Sequence, residues 1–365
     1  MTKQARYIMV GGFLGAGKTT AVGKFAQYLS ESGKRVGLIC NDQSSGLVDT
    51  TILKSKGFPV EEITGGCFCC RFNSLLEATH ALTRDTAPDF FLAEPVGSCT
   101  DLIATVSYPL RRIYGDQFAV APLSVLVDPI RAARILGLTE GPNFSDKVTY
   151  VYRKQLEEAD IIVVNKADAH PNDFIERIVD AVNINFPRAK VLVCSAKRGT
   201  GLNSWFTATI SGTETASQPL EINYDTYAEG EAELGWLNCT LRLNSDKVFD
   251  GNRLLVELAN TIRNHTRENG GEIAHLKATL DPNDGTGTLS VVSLVTTEGD
   301  CDLRESLLDQ VDGGELIVNL RAEADPNTLE SIIRTSIGTL RPVRATLEHL
   351  EQFRPARPVP TYRME

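Results

Sequence analysis

Eight consecutive residues, Gly12-Phe13-Leu14-Gly15-Ala16-Gly17-Lys18-Thr19, have the spacing G-x-x-x-x-G-K-T. Glycines let backbone N–H groups turn inward around phosphate oxygens. A helix starting near Lys18 adds the positive end of its dipole. The Lys18 ammonium reaches the β- and γ-phosphates of a nucleotide, and the Thr19 hydroxyl ligates Mg²⁺. Gly12, Gly15, Ala16, Gly17, Lys18, Thr19 and Thr20 are the expected phosphate-binding set. Downstream, Glu94-Pro95-Val96-Gly97 offers a carboxylate for the Mg²⁺ side and a backbone N–H, that of Gly97, for the γ-phosphate. Lys18, Thr19, Glu94 and Gly97 are thus the expected catalytic group. Asp49 can approach Mg²⁺ from a polar run after Asn41; plain solvation is its alternative.

Asn165-Lys166-Ala167-Asp168 has the form of a guanine reader. The Asp168 carboxylate can accept from the two N–H groups on guanine's Watson–Crick side, a pair adenine lacks. The Asn165 amide can serve the O6/N7 side. Cys194-Ser195-Ala196-Lys197 follows and can offer a backbone N–H to O6. Either tetrapeptide alone fits an ordinary polar turn. Both together, in order after a phosphate loop, favour GTP and GDP over ATP. Asn165, Lys166, Asp168, Ser195, Ala196 and Lys197 complete the expected nucleotide set. A small-molecule kinase would share the loop but has no need of a base reader.

Gly65-Gly66-Cys67-Phe68-Cys69-Cys70 places three thiols in four residues. Cys67, Cys69 and Cys70 can converge on one Zn²⁺, Co²⁺ or Cu⁺ ion, with a fourth ligand from elsewhere or from water. Inert buried thiols and a redox relay are the alternatives.

These groups need rigid elements between them. Short β-branched runs at 7–10, 35–40, 90–93, 123–127, 161–164 and 190–193 alternate with helical patterns at 19–30, 73–84 and 173–185. That alternation predicts an α/β fold, a mostly parallel sheet covered on both faces. Residues 211–225 read as a polar linker. Beyond them, strands at 234–243, 272–280, 287–297 and 315–322 are interleaved with helices at 253–269, 302–311 and 327–339, which suggests a smaller α+β domain. The expected organisation is a P-loop domain over 1–212, a linker over 213–227, a client-facing α+β domain over 228–345 and a Pro-containing tail over 346–365, extended over 352–365.

The chain has 365 residues, 42% apolar and 23% charged, with a net charge of −10. That balance disfavours a nucleic-acid coat or a membrane-surface binder. There is no run of 18 apolar residues and no signal-peptide pattern. The eight cysteines are too sparse for a disulfide scaffold, so a cytoplasmic setting is expected.

The series GGFLGAGKTT, GGCFCC, EPVG, NKAD and CSAK, in that order, resembles the CobW-type GTPases, relatives of the hydrogenase and urease nickel-insertion GTPases. Residues 314–340 are similar to that family's closing strand and helix, and 271–277 to the strand before them. The resemblance implies a nucleotide-dependent metallochaperone that hydrolyses GTP to GDP and phosphate with Mg²⁺. It implies Asp49 and Glu94 as switch and Mg²⁺-side acids, and Cys67, Cys69 and Cys70 as ligands of Zn²⁺ or Co²⁺ bound for a client metalloenzyme. Two departures stand out. Asn41-Asp42-Gln43-Ser44-Ser45 keeps only a shorter acid, Asp42, in place of the first Glu of the relatives' Asn-Glu-x-Gly-Glu run and lacks the second, and the five histidines (His80, His170, His265, His275, His349) are scattered rather than gathered in a loading insert. The alternative is a GTP-regulated escort for a cofactor-dependent enzyme, with structural cysteines. No residue identifies itself as the one that orients water, so slow intrinsic turnover is expected, awaiting dimerisation or a client.

Overall fold

The computed structural model describes residues 4–41, 53, 54, 56–212 and 219–364. Asp49 lies outside the described residues, as do the rest of 42–52 and residues 213–218 of the expected linker.

Eight strands form the first sheet: β1 (Ala5–Gly12), β2 (Val36–Asn41), β3 (Val60–Ile63), β4 (Phe90–Glu94), β5 (Phe118–Val120), β6 (Ser124–Val127), β7 (Ile161–Val164) and β8 (Lys190–Val193). Their order is β3-β2-β4-β1-β6-β7-β8, with β5 beside the start of β1. Every pairing is parallel. Strands β2, β6 and β7 are buried at every residue, because helices cover both faces of the sheet. Phe25, Trp205 and Phe206 pack on one face; Phe13, Phe72, Phe91 and Tyr152 pack on the other. In such a sheet the loops leaving the carboxyl ends of the strands gather in one place.

The second sheet holds β9 (Leu234–Phe249), β10 (Glu272–Asp281), β11 (Ser290–Leu294), β12 (Asp302–Glu305), β13 (Val311–Glu323) and β14 (Arg344–Phe353). Its order is β12-β11-β10-β13-β9-β14, antiparallel throughout. Alternation sorts its side chains onto two faces. Leu237, Cys239, Leu276, Ala278, Val318 and Leu320 form a core with the helices Gly251–Glu268 and Pro326–Gly338. Trp236, His275, Lys277, Asn319 and Arg321 occupy the opposite register positions and line a cleft against the first sheet's loops. Arg131, from the helix after β6, crosses the junction: it donates to Ile273 O at 3.0 Å and pairs with Glu272 at 3.5 Å.

Three local expectations are corrected. The helix expected over 302–311 is replaced by the short strand β12, paired to β11. Its apolar spacing is misleading, since Leu308 is 89% exposed and contributes to no buried stripe. Residues 344–353, expected to end a domain and begin the Pro-containing tail, form β14, which buries part of Leu347 and Leu350 against the second core. The polar stretch read as a linker up to 227 contains the start of the helix Tyr224–Glu233, whose Tyr227 and Glu231 are buried. Among the described residues, no helix is long and apolar enough to cross a membrane.

Candidate functional site

β1 runs directly into the phosphate loop, and two glycines there are required by geometry. Gly12 has φ +129°, and a Cβ on it would meet Leu126 O at 2.3 Å. Gly17 has φ +90°, and a Cβ on it would meet Asn165 Nδ2 at 2.5 Å. Lys18 begins the helix Lys18–Glu31, and its ammonium donates to Gly12 O at 2.9 Å and Phe13 O at 3.4 Å. The Thr19 hydroxyl donates to Glu94 Oε1 at 3.1 Å, both residues being buried. A hydroxyl and a carboxylate brought together at the base of a phosphate loop are hard oxygen donors of the kind Mg²⁺ prefers. Gly97 closes on the loop so tightly that a Cβ would stand 3.0 Å from Leu14 N. Gly15, Gly17, Lys18, Thr19, Thr20, Glu94 and Gly97 all line one cleft.

The 165–168 and 194–197 loops adjoin this cleft through Asn165. Its Nδ2 donates to Ala16 O at 2.9 Å and its Oδ1 accepts the Ala196 N–H at 2.9 Å. The Asn165 amide thus ties the phosphate loop to the 194–197 loop. Lys166 pairs with Asp128 at 2.8 Å. Burial disfavours charge on Asp128, but Lys166 and the Arg131 N–H outweigh it and hold the carboxyl below its usual range. Asp168 is exposed, with Arg198 3.8 Å away, and Ser195 Oγ accepts the Arg198 N–H at 2.9 Å. Lys197 pairs with Asp302 of β12 at 2.8 Å.

The thiols follow β3 and the Gly65-Gly66 turn. The Cys70 and Arg71 N–H groups both bond to Cys67 O, which folds the three sulfurs inward. Cys67 Sγ lies 2.6 Å from Cys69 Sγ and 3.3 Å from Cys70 Sγ, and the latter two are 3.6 Å apart. Hydrogen bonds from Cys69 and Cys70 hold Cys67 well below the usual thiol range, and the same contacts push Cys69 well up and Cys70 up to about 11. Cys67 thus favours the thiolate, while Cys69 and Cys70 hold their protons until a cation displaces them, and three sulfurs so placed suit a thiophilic ion.

Cys99, which the sequence reading did not single out, is buried beside Cys67 and helps hold its thiolate. It belongs to the same turn as Gly97. Gln155 fixes that turn by donating to Gly97 O at 2.9 Å and Cys99 O at 2.8 Å. Asn41 ties the two regions a second time: it lines the phosphate cleft and donates to Gly66 O at 2.7 Å. Its placement at the end of an all-buried strand was the one sequence signal for this role; Gln155, inside a helix, had none.

The sequence profile of "CobW/HypB/UreG, nucleotide-binding domain" matches residues 6–192. Zinc chaperone CobW of Sinorhizobium sp is 29% identical over 210 residues, 52% of this chain and 58% of that protein. Zinc chaperone YeiR of Escherichia coli (strain K12) is 29% identical over 163 residues, 44% of this chain and 46% of that protein. The chain thus spans about half the length of these relatives. The crystal structure of Zn(II)-bound YjiA GTPase from E. coli aligns with 91% of this chain and 98% of its own, at 14% identity and a TM-score of 0.37. With that profile covering more than half of the chain and all but the first and last residues of the parallel sheet, phosphate loop and thiol cluster included, the chain belongs to the CobW/HypB/UreG nucleotide-binding family.

Proposed function

We propose that the protein is a GTP-binding and GTP-hydrolysing metallochaperone that holds Zn²⁺ or Co²⁺ at Cys67, Cys69 and Cys70 and delivers it to a client metalloenzyme. The observation that carries this reading is the shared wall of the two sites. Asn41 touches both, and one five-residue step along the chain leads from Glu94 to Cys99. A phosphate that moves Gly97 or Asn41 therefore moves the frame of the thiols. The names of the relatives favour zinc as the cargo.

Thr19 and Glu94 would hold Mg²⁺, which supplies charge neutralisation at the phosphates when bound. Lys18 leaves the loop carbonyls for the β- and γ-phosphates, and the Gly97 N–H turns to the γ-phosphate. Asp168 takes the guanine edge, on a loop that Asn165, Lys166 and Ser195–Lys197 hold in register. Asp49 serves as the switch acid. Catalysis rests on positioning and charge. The P-loop domain over 1–212 does this chemistry, and the domain over 228–345 meets the client.

Metal affinity measured with GDP and with a non-hydrolysable GTP analogue tests this reading. The two affinities should differ by about 5- to 150-fold, and bound metal must change nucleotide affinity by the same factor. Serine at positions 67, 69 and 70 together should abolish metal uptake. Equal metal affinity in both nucleotide states would remove the chaperone mechanism.

A further inference from the structure

Residues 354–364 follow β14 and run as a strap from the second sheet to the thiol cluster of the first domain. Pro355 and Pro358 are buried, while Arg354, Ala356, Arg357 and Val359 around them are exposed. The fixed φ of proline keeps such a segment extended before it docks, so less conformational freedom is lost on docking. Arg357 pairs with Asp225 of the helix Tyr224–Glu233. Further on, the Thr361 N–H bonds to Cys69 O at 2.8 Å, the Thr361 hydroxyl donates to Cys70 O at 3.2 Å, and the Met364 N–H bonds to Ala104 O at 2.9 Å. The Tyr362 ring meets Phe72 edge-on at 5.2 Å, and Arg363 pairs with the buried Asp101 at 2.9 Å.

The strap also touches a sulfur directly. The Val359 N–H donates to Cys70 Sγ at 3.2 Å. Pro358 and Pro360 on either side carry no N–H, so Val359 is the donor of this stretch. Its side chain is 71% exposed, which leaves the backbone N–H as what the position contributes. Cys70 is the thiol on the open side of the cluster: Cys67 and Cys69 are 5% and 1% exposed, whereas Cys70 is half-buried beneath the strap. A sulfur that gives up its proton to a metal ion becomes a stronger acceptor, so an N–H already aimed at it gains strength on metal binding. Hydrogen bonds of this kind orient a ligand atom and tune what it donates to the metal.

We propose that residues 354–364 gate the thiol site: the Val359 N–H holds Cys70 in its ligating position, and a metal ion enters or leaves when the strap lifts from the Cys69–Cys70 loop. This rests on the reading of the three thiols as a metal site. Val359 is thus a positioning residue, acting on the ion through Cys70. Release of the ion competes with docking of the strap, and a strap rooted in β14 gives the second domain control over how long the first domain keeps its metal.

The test uses the full chain with Val359→Pro, Val359→Ala and Tyr362→Ala, each checked for a cooperative thermal transition, and Co²⁺ as the probe. Three quantities are read: Co²⁺ affinity, the thiolate-to-cobalt charge-transfer band, and the rate of Co²⁺ loss to a chelator in excess. Val359→Pro removes the N–H from a segment already extended. It should weaken Co²⁺ about tenfold, speed its loss at least as much, and move the band to lower energy, because a hydrogen bond lowers the energy of the thiolate electrons. Val359→Ala keeps the N–H and should stay within about twofold of the native chain on every count. Tyr362→Ala keeps the N–H but loosens the strap, so it should speed loss about fivefold with the band of the bound ion unmoved. Native affinity, band and release in a folded Val359→Pro protein overturn the proposal. So does an equal loss in Val359→Ala, which assigns the effect to the side chain. If the native protein shows no thiolate-to-cobalt band, the metal reading itself falls, and this inference with it.

Discussion

Cys67, Cys69 and Cys70 start from unequal protonation. Hydrogen bonds from its neighbours keep Cys67 as the thiolate, while Cys69 is pushed well up and Cys70 up to about 11. An ion held by all three thiolates must displace the protons of the other two, so uptake near neutral pH should release about two protons. Affinity then rises with pH and falls on acidification. Calorimetric titration in buffers of different ionisation enthalpy counts the protons directly. A pH-independent affinity between about 6 and 8 would show that fewer than three thiolates bind. The same residue-scale logic applies to Asn165. Its type and position pointed to the nucleotide, and here the amide donates to Ala16 O and accepts the Ala196 N–H, which fixes the side chain between the phosphate loop and the 194–197 loop.

At the scale of elements, the helix Asp146–Glu158 positions the turn between the two sites. Gln155 holds the carbonyls of Gly97 and Cys99, and one turn later Glu158 accepts the Ile103 N–H at 3.2 Å and the Thr100 hydroxyl at 3.0 Å. Burial, reinforced by the Asp101 charge, pushes Glu158 up to about 8. In the unfolded chain the group titrates near 4.5. Between those values the native state keeps a proton that the unfolded state has lost. Its contribution to stability is therefore complete below about pH 4.5 and is lost as pH rises towards about 8. Glu158→Gln should flatten that part of the stability profile, relative to the native chain, in urea unfolding followed from pH 5 to 8. An unchanged slope would mean that Glu158 is ionised in the fold.

At the scale of the whole molecule, the end of the chain returns to the thiol cluster. The Val359 N–H reaches Cys70 Sγ at 3.2 Å, the Thr361 N–H bonds to Cys69 O at 2.8 Å, and Tyr362 packs edge-on to Phe72. Arg363 pairs with the buried Asp101 at 2.9 Å. Together these contacts should be worth about 2–4 kcal/mol, since each hydrogen bond and ring contact adds about one and the buried carboxylate loses its cation without them. Truncation after Phe353 should lower stability by that amount and speed the labelling of Cys70 by a thiol reagent in the native state. A labelling rate equal to that of the full chain would show that the tail does not shield the thiol.

The sequence alone determined the chemistry that is contiguous in the chain. The phosphate loop, the Glu94–Gly97 turn and the three thiols each lie within eight residues, so local spacing suffices to specify them. Parallel strands buried on both faces also announce themselves, because each must be apolar at nearly every position. What only the tertiary structure decided depends on which surfaces meet. The alternation of β10 showed that Lys277 leaves the second core but not that another domain's phosphate loop lies on that side. The 302–311 segment had helical spacing until pairing with β11 took it. Cys99 and Gln155 joined the thiol frame through contacts of 32 and 56 positions in sequence, from Cys67 to Cys99 and from Cys99 to Gln155. Long-range contacts of this kind carry no local pattern, since either partner would fit its own element equally well without the other.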